Sequence, residues 1–104
     1  MAQFDVYANP IRVARPAYPY VVILQSHLAD VGRERIVAPL APRESLAALA
    51  GRLTPFVRLG DAEYVVIVPG LAGIPSKDLR EAAGSLAGYR SEILAGVDYL
   101  FFGV

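Results

Sequence analysis

Residues 54–69 read Thr54-Pro55-Phe56-Val57-Arg58-Leu59, then Gly60-Asp61-Ala62-Glu63, then Tyr64-Val65-Val66-Ile67-Val68-Pro69. Two runs rich in β-branched and aromatic residues flank a short polar loop led by glycine, which is the pattern of a β-hairpin. The two strands are expected to pair antiparallel. Working outward toward the N-terminus, Tyr20–Gln25 is a continuous β-branched and aromatic run, hence a central strand covered on both faces. Arg35–Leu40 reads as a further strand, with Pro39 placing its end at an edge or bulge. Gln3–Tyr7 alternates polar and apolar as a half-buried strand does. Between these, Ala8–Pro19 carries three prolines and two arginines and reads as a long exposed loop. Ser26–Glu34 turns the chain, with Gly32 supplying the permissive backbone.

Toward the C-terminus the period changes from two to between three and four. Leu86, Tyr89, Ile93, Val97 and Leu100 mark one face of an α-helix. Ser85 can cap its start, and Gly103 falls where helices commonly end in the left-handed conformation. Phe101 ends this apolar series and is expected to pack in the core, whereas Phe102 lies about 100° further around the helix. Ser76–Ala83 is expected to form a short helical turn after Pro75. Pro42–Leu53 is ambiguous: its composition favours helix and Leu46, Leu49 and Leu53 fall at helical spacing, yet tertiary context could hold it extended. The expectation is a single domain, residues 1–104, mainly β with one C-terminal helix on an antiparallel sheet.

Composition narrows the function classes. Of 104 residues, 55% are apolar and 19% charged, against about 45–50% and about 25% in ordinary domains. That excess points to burial beyond one copy's own core, hence a homo-oligomer. Ten basic and ten acidic residues cancel, so no direct nucleic-acid binding is expected. The absence of cysteine excludes disulfides, thiolate metal sites and cysteine nucleophiles. Met1–Asp5 lacks a basic segment followed by an apolar one, and no run approaches the roughly 20 residues that span a bilayer, so a cytoplasmic protein without membrane association is expected. A single histidine and dispersed carboxylates offer no metal-ligand spacing, and no cofactor motif occurs. His27 lies near Asp30 and Arg33, but a general base needs a positioned partner and a substrate proton within reach, so it reads as a solvated loop residue. Arg12 and Arg15 read either as solvated loop residues or as contacts for a partner's carboxylates.

Taken in order, several segments resemble the CcdB family: Gln3-Phe4-x-Val6-Tyr7, Gln25-Ser26 with Asp30, Arg35-Ile36-Val37-Ala38-Pro39-Leu40, and Pro55-Phe56-Val57-Arg58-Leu59-Gly60-Asp61. The Ile74-Pro75 pair and the ending Leu100-Phe101-Phe102-Gly103-Val104 complete the series. The resemblance runs from Gln3 to Val104. It implies an SH3-like barrel, with a five-stranded antiparallel sheet, a small projecting second sheet that takes in Pro42–Leu53, and a C-terminal helix, assembled as a homodimer. It also implies the toxin of a type II toxin–antitoxin module, of the kind that serves plasmid maintenance. Such toxins catalyse nothing: they bind the A subunit of DNA gyrase and trap the enzyme on cleaved DNA. A CcdA-like antitoxin folds over the toxin and removes it, and also mediates transcriptional autoregulation at DNA.

By the same resemblance the target-binding residues are Leu28, Asp98, Phe102, Gly103 and Val104. In the family an isoleucine stands at Leu28, an asparagine at Asp98 and typically a tryptophan at Phe102, whose two copies sandwich an arginine of gyrase. Phenylalanine also stacks on guanidinium, though tryptophan does so most strongly. Apart from the resemblance, Asp98 could simply pair with a cation such as an arginine of its own helix, and Phe102 could be a dimer-interface aromatic. Arg12 and Arg15 are the candidates for antitoxin binding. The alternatives are a ribonuclease on the same barrel, with His27 and Arg33 or Arg35 as the only candidates for its chemistry, or a CcdB-like protein with altered target or lost toxicity.

Overall fold

The hairpin read from residues 54–69 is present in the computed structural model, which describes residues 1–26, 32–45 and 51–103. Strands β4 (Phe56–Leu59) and β5 (Ala62–Val66) pair antiparallel, with Leu59 opposite Ala62 across Gly60 and Asp61. Gly60 takes a φ of 62°, a backbone conformation that glycine enters without a side-chain clash. Preceding them are β1 (Asp5–Ala8), β2 (Tyr20–Ile23) and β3 (Glu34–Pro42), and following them are β6 (Ala72–Pro75) and β7 (Ala82–Ser85). The order is β4-β5-β3-β2-β1-β7, with β6 also paired to β3, and every pairing is antiparallel. The fold is thus mainly β, a curled antiparallel half-barrel with one C-terminal helix. The five-stranded sheet and the small projecting sheet expected of it are joined through β3 into one hydrogen-bonded network.

β2 is central as expected. Val22 points into the main core and Val21 and Ile23 into a second cluster on the opposite face with Val37, Ile74 and Leu79. β3 runs further than expected and carries Pro39 in its interior, opposite Val21 of the neighbouring strand. The reading of Pro39 as a strand end is therefore corrected. The reason is a change of partner: β3 pairs with β6 over Glu34–Val37 and with β5 from Leu40 onward. Pro39 sits at the handover, where its carbonyl accepts from the Ile67 N–H at 2.9 Å and no ladder partner requires the N–H it lacks.

β7 escaped the sequence reading, which placed a helical turn over Ser76–Ala83. Only Ser76–Asp78 forms such a turn, a 3-10 one. Ala82-Ala83-Gly84-Ser85 has poor strand propensity, but it pairs with β1 across a bulge between Val6 and Tyr7. Gly84 closes the curl: it takes a φ of 144°, and a Cβ there would stand 2.8 Å from a Leu59 methyl on β4. The two edges of the sheet meet at that point. Phe4 also has a positive φ, 71°, which turns its ring into the core just before β1.

A 3-10 turn, Ala87–Tyr89, leads into α1 (Arg90–Phe102). The Ser85 hydroxyl accepts from the Ala87 N–H at 3.2 Å, a local bond at the entry to the 3-10 turn, and α1 starts without a side-chain cap, so Ser85 is not its N-cap. Leu86 and Ile93 are fully buried against Val6, Val22, Leu40, Val57 and Val66, with Tyr89, Val97 and Leu100 at the margin. Each full aliphatic burial of this kind contributes about 1.5–3 kcal/mol. Of the ambiguous Pro42–Leu53 stretch, Pro42 continues β3, Arg43–Ser45 form a 3-10 turn, and Gly51 bridges Thr54. Residues 46–50, including Leu46 and Leu49, lie outside the described residues. Arg43 secures this region, stacked 4.3 Å from the Phe56 ring centre and paired with Glu63 at 2.7 Å.

Candidate functional site

α1 ends as its sequence implies. Gly103 takes the left-handed conformation, φ 74° and ψ 18°, and its N–H donates to the Tyr99 carbonyl at 3.0 Å. No alanine or β-branched residue would adopt that cap freely. Phe102, just before it, is 75% exposed, and Phe101 is 61% exposed. Phe101 is therefore not a core residue. The buried stripe of α1 runs through Ile93, Gly96, Val97 and Leu100, and Phe101 falls one step outside it, at the rim of a groove.

That groove, about 350 Å³, is lined by Leu24, Gln25, Ile36, Leu71, Leu94, Val97 and Phe101 and is almost wholly apolar. Ile36 adds an exposed aliphatic side chain from near the start of β3. The sequence reading did not single out Ile36, because it alternates correctly for a strand and nothing local says that its face lacks cover.

Asp98 lies one helical turn before Phe102, and residues four apart stack on one face of a helix. It is exposed and has no hydrogen-bond or ion-pair partner among the described residues, so the alternative reading, a pair with an arginine of its own helix, does not occur there. A carboxylate near a helix C-terminus opposes the helix dipole, at a cost of about 0.3–1 kcal/mol, and no basic residue occupies the last turn to offset it. Asp98 thus does nothing for the helix that carries it. Leu28 and Val104, the other expected contacts, lie outside the described residues.

The second candidate region is the loop after β1. Asn9 organises it and was missed, since an asparagine between Ala8 and Pro10 reads simply as turn. It is 5% exposed, donates from Nδ2 to the Tyr18 carbonyl at 2.9 Å and accepts from the Ile11 N–H at 2.9 Å. Arg15 is held from within the domain: its Nε donates to the Asn9 carbonyl at 2.6 Å and its guanidinium lies 3.7 Å from Glu81. Arg12, in the 3-10 turn Arg12–Ala14, is exposed, and both arginines line a cleft of about 470 Å³ with Asp78, Arg80 and Glu81. Ile11 and Val13 stand out from the same loop, Val13 with 91% of its surface exposed.

His27 and Asp30 lie outside the described residues; Arg33 lies in the turn just before β3 and Arg35 is its second residue, bonded to the Gly32 and Glu34 carbonyls. Nothing among the described residues gathers a metal-ligating cluster, and no helix is long and apolar enough to cross a membrane. Compared with known proteins, residues 3–103 match the family model described as CcdB protein. A search among curated proteins returned no match.

Proposed function

The chain belongs to the CcdB family, and from that premise we propose that it is a toxin that binds the A subunit of DNA gyrase and traps the enzyme on cleaved DNA. The protein acts by occupancy and catalyses no reaction. Its working end is Phe102, Gly103 and Val104 with Asp98 and Leu28, presented twice across a cytoplasmic homodimer. A CcdA-like antitoxin removes it, with carboxylates reaching Arg12 and, beyond its bond to Glu81, Arg15.

The observation that carries this reading is the exposed pair at the helix tip, Phe102 and Asp98, the latter without a partner among the described residues. An exposed ring and an exposed carboxylate one turn apart suit a cationic side chain, which the ring attracts through its face and the carboxylate through its charge. The apolar groove beside Phe101 supports the dimer, because a patch of that character rarely stays in water on a soluble domain.

Two measurements test the proposal. Purified gyrase with plasmid DNA should accumulate linear DNA when the protein is added. Deleting Gly103 and Val104 should abolish that effect and growth inhibition while the protein remains a folded dimer. Undiminished inhibition by the truncated chain would overturn the assignment of the working end. RNA cleavage in the absence of gyrase would replace the proposal with a ribonuclease, and neither activity would indicate an altered target or lost toxicity.

A further inference from the structure

Gly96 faces inward on α1, two residues before Asp98 and three before Tyr99. A Cβ at this position would stand 2.6 Å from the Arg52 carbonyl oxygen and 3.2 Å from a Val68 methyl. The nearer obstacle is backbone, so a larger residue must displace either the helix or the turn that carries Arg52.

That turn is tied down on both sides. The Thr54 N–H donates to the Gly51 carbonyl at 3.1 Å, the Val68 N–H to the Leu53 carbonyl at 3.2 Å, and the Val66 N–H to the Pro55 carbonyl at 3.0 Å. Arg52 then makes a second contact one helical turn further on: its guanidinium lies over the Tyr99 ring, 5.2 Å from the centre. A single residue therefore touches α1 at two points, through its backbone at Gly96 and through its side chain at Tyr99. Two contacts a turn apart fix both the distance of the helix from the sheet and its rotation about its own axis. Glycine is among the poorest helix formers, so helix propensity does not account for its presence in mid-helix. Close approach does.

We infer that Gly96, Arg52 and Tyr99 form a seat that sets the direction of the last turn, making them positioning residues for the face formed by Asp98 and Phe102. What that face contacts rests on the proposed function; the seat itself does not. Phe102 lies about 9 Å along the axis from Gly96, so a tilt of about 10° pivoting there moves its ring by about 1.5 Å. Binding constellations tolerate displacements of only about 0.5 Å.

The test reads orientation and inhibition separately. Amide residual dipolar couplings of residues 97–103, measured against those of the sheet, report the direction of the last turn without any partner. Gly96→Ala should shift them, and should raise the concentration needed for half-maximal gyrase inhibition about tenfold, which corresponds to about 1.4 kcal/mol. Arg52→Ala, at an exposed side chain that leaves the fold intact, should shift the couplings of residues 99–103 and weaken inhibition about threefold. Arg52→Lys, which keeps the cation over the ring, should restore most of that loss.

Unchanged couplings in both Gly96→Ala and Arg52→Ala would overturn the seat. Shifted couplings with unaltered inhibition would overturn the positioning role. Should the unmodified protein fail to inhibit gyrase, the proposed function falls while the couplings still decide the seat. If Gly96→Ala does not fold, the two Arg52 variants decide the matter alone.

Discussion

Ile93 and Phe102 lie nine residues apart on one helix, yet Ile93 is fully buried and Phe102 has 75% of its surface exposed. The first turns of α1 are held by aliphatic packing against the concave face of the sheet. The last turn keeps Leu100 against that face but carries three exposed aromatic rings, Tyr99, Phe101 and Phe102, beside the exposed Asp98 carboxylate, which has no partner among the described residues. The difference separates what folds the chain from what the chain presents. Substitutions in the first region should cost stability and take function with it, whereas those in the second should cost function alone.

The largest effect tests the buried half. Ile93→Ala removes a fully buried side chain and should destabilise the protein by about 2–5 kcal/mol, read from urea or thermal unfolding. A cost below that range would mean the helix is not the principal cover of the sheet. Phe102→Ala makes the complementary test. Melting should stay within about 0.5 kcal/mol of the parent, while gyrase inhibition should fall about thirtyfold or more, as for loss of a central aromatic anchor worth about 2 kcal/mol. A large loss of stability in this variant would erase the distinction between the two halves.

A smaller effect belongs to Asp98. Asp98→Asn removes a charge that opposes the helix dipole, so stability should rise by about 0.3–1 kcal/mol at low salt. The salt dependence of target binding should flatten, because the contact would no longer rest on a full charge. Steeper salt dependence would mean that Asp98 faces an anion. The smallest effect lies on the sheet side. Tyr64 packs edge-on to Tyr20, ring centres 5.5 Å apart. Burial, with contributions from Tyr20 and Glu44, raises its pKa above the ordinary 10.0. Folding therefore favours the neutral phenol, and its contribution is present in full below pH 10. It is lost as pH rises through the higher folded value, since the unfolded chain releases the proton first. Tyr64→Phe should flatten that alkaline decline in unfolding experiments.

Local pattern carried much of this architecture. The hairpin could be read because Gly60-Asp61 interrupts two β-rich runs, and the helix because its apolar residues keep their period from Leu86 to Leu100. The left-handed cap at Gly103 was equally plain, since few other residues adopt that conformation. What escaped were features whose cause is distant in sequence. β7 is a strand only because β1 offers a free edge and Leu59 closes on Gly84. Asn9 is buried only because the loop returns to place Tyr18 beside it. Arg52 meets Gly96 and Tyr99 across more than forty residues, a contact for which composition gives no signal.

The sequence by itself determined the class of structure, the C-terminal helix with its buried stripe and cap, and membership of the CcdB family. Those are properties of period, propensity and residue order, and they are written within each segment. Only the tertiary structure decided that Pro39 lies inside a strand, that Phe101 stands at the rim of a groove, and that Asp98 is left without a partner among the described residues. Each of those outcomes depends on which surfaces meet once the sheet has curled, and a surface left uncovered is a property of the assembled molecule rather than of any stretch of chain.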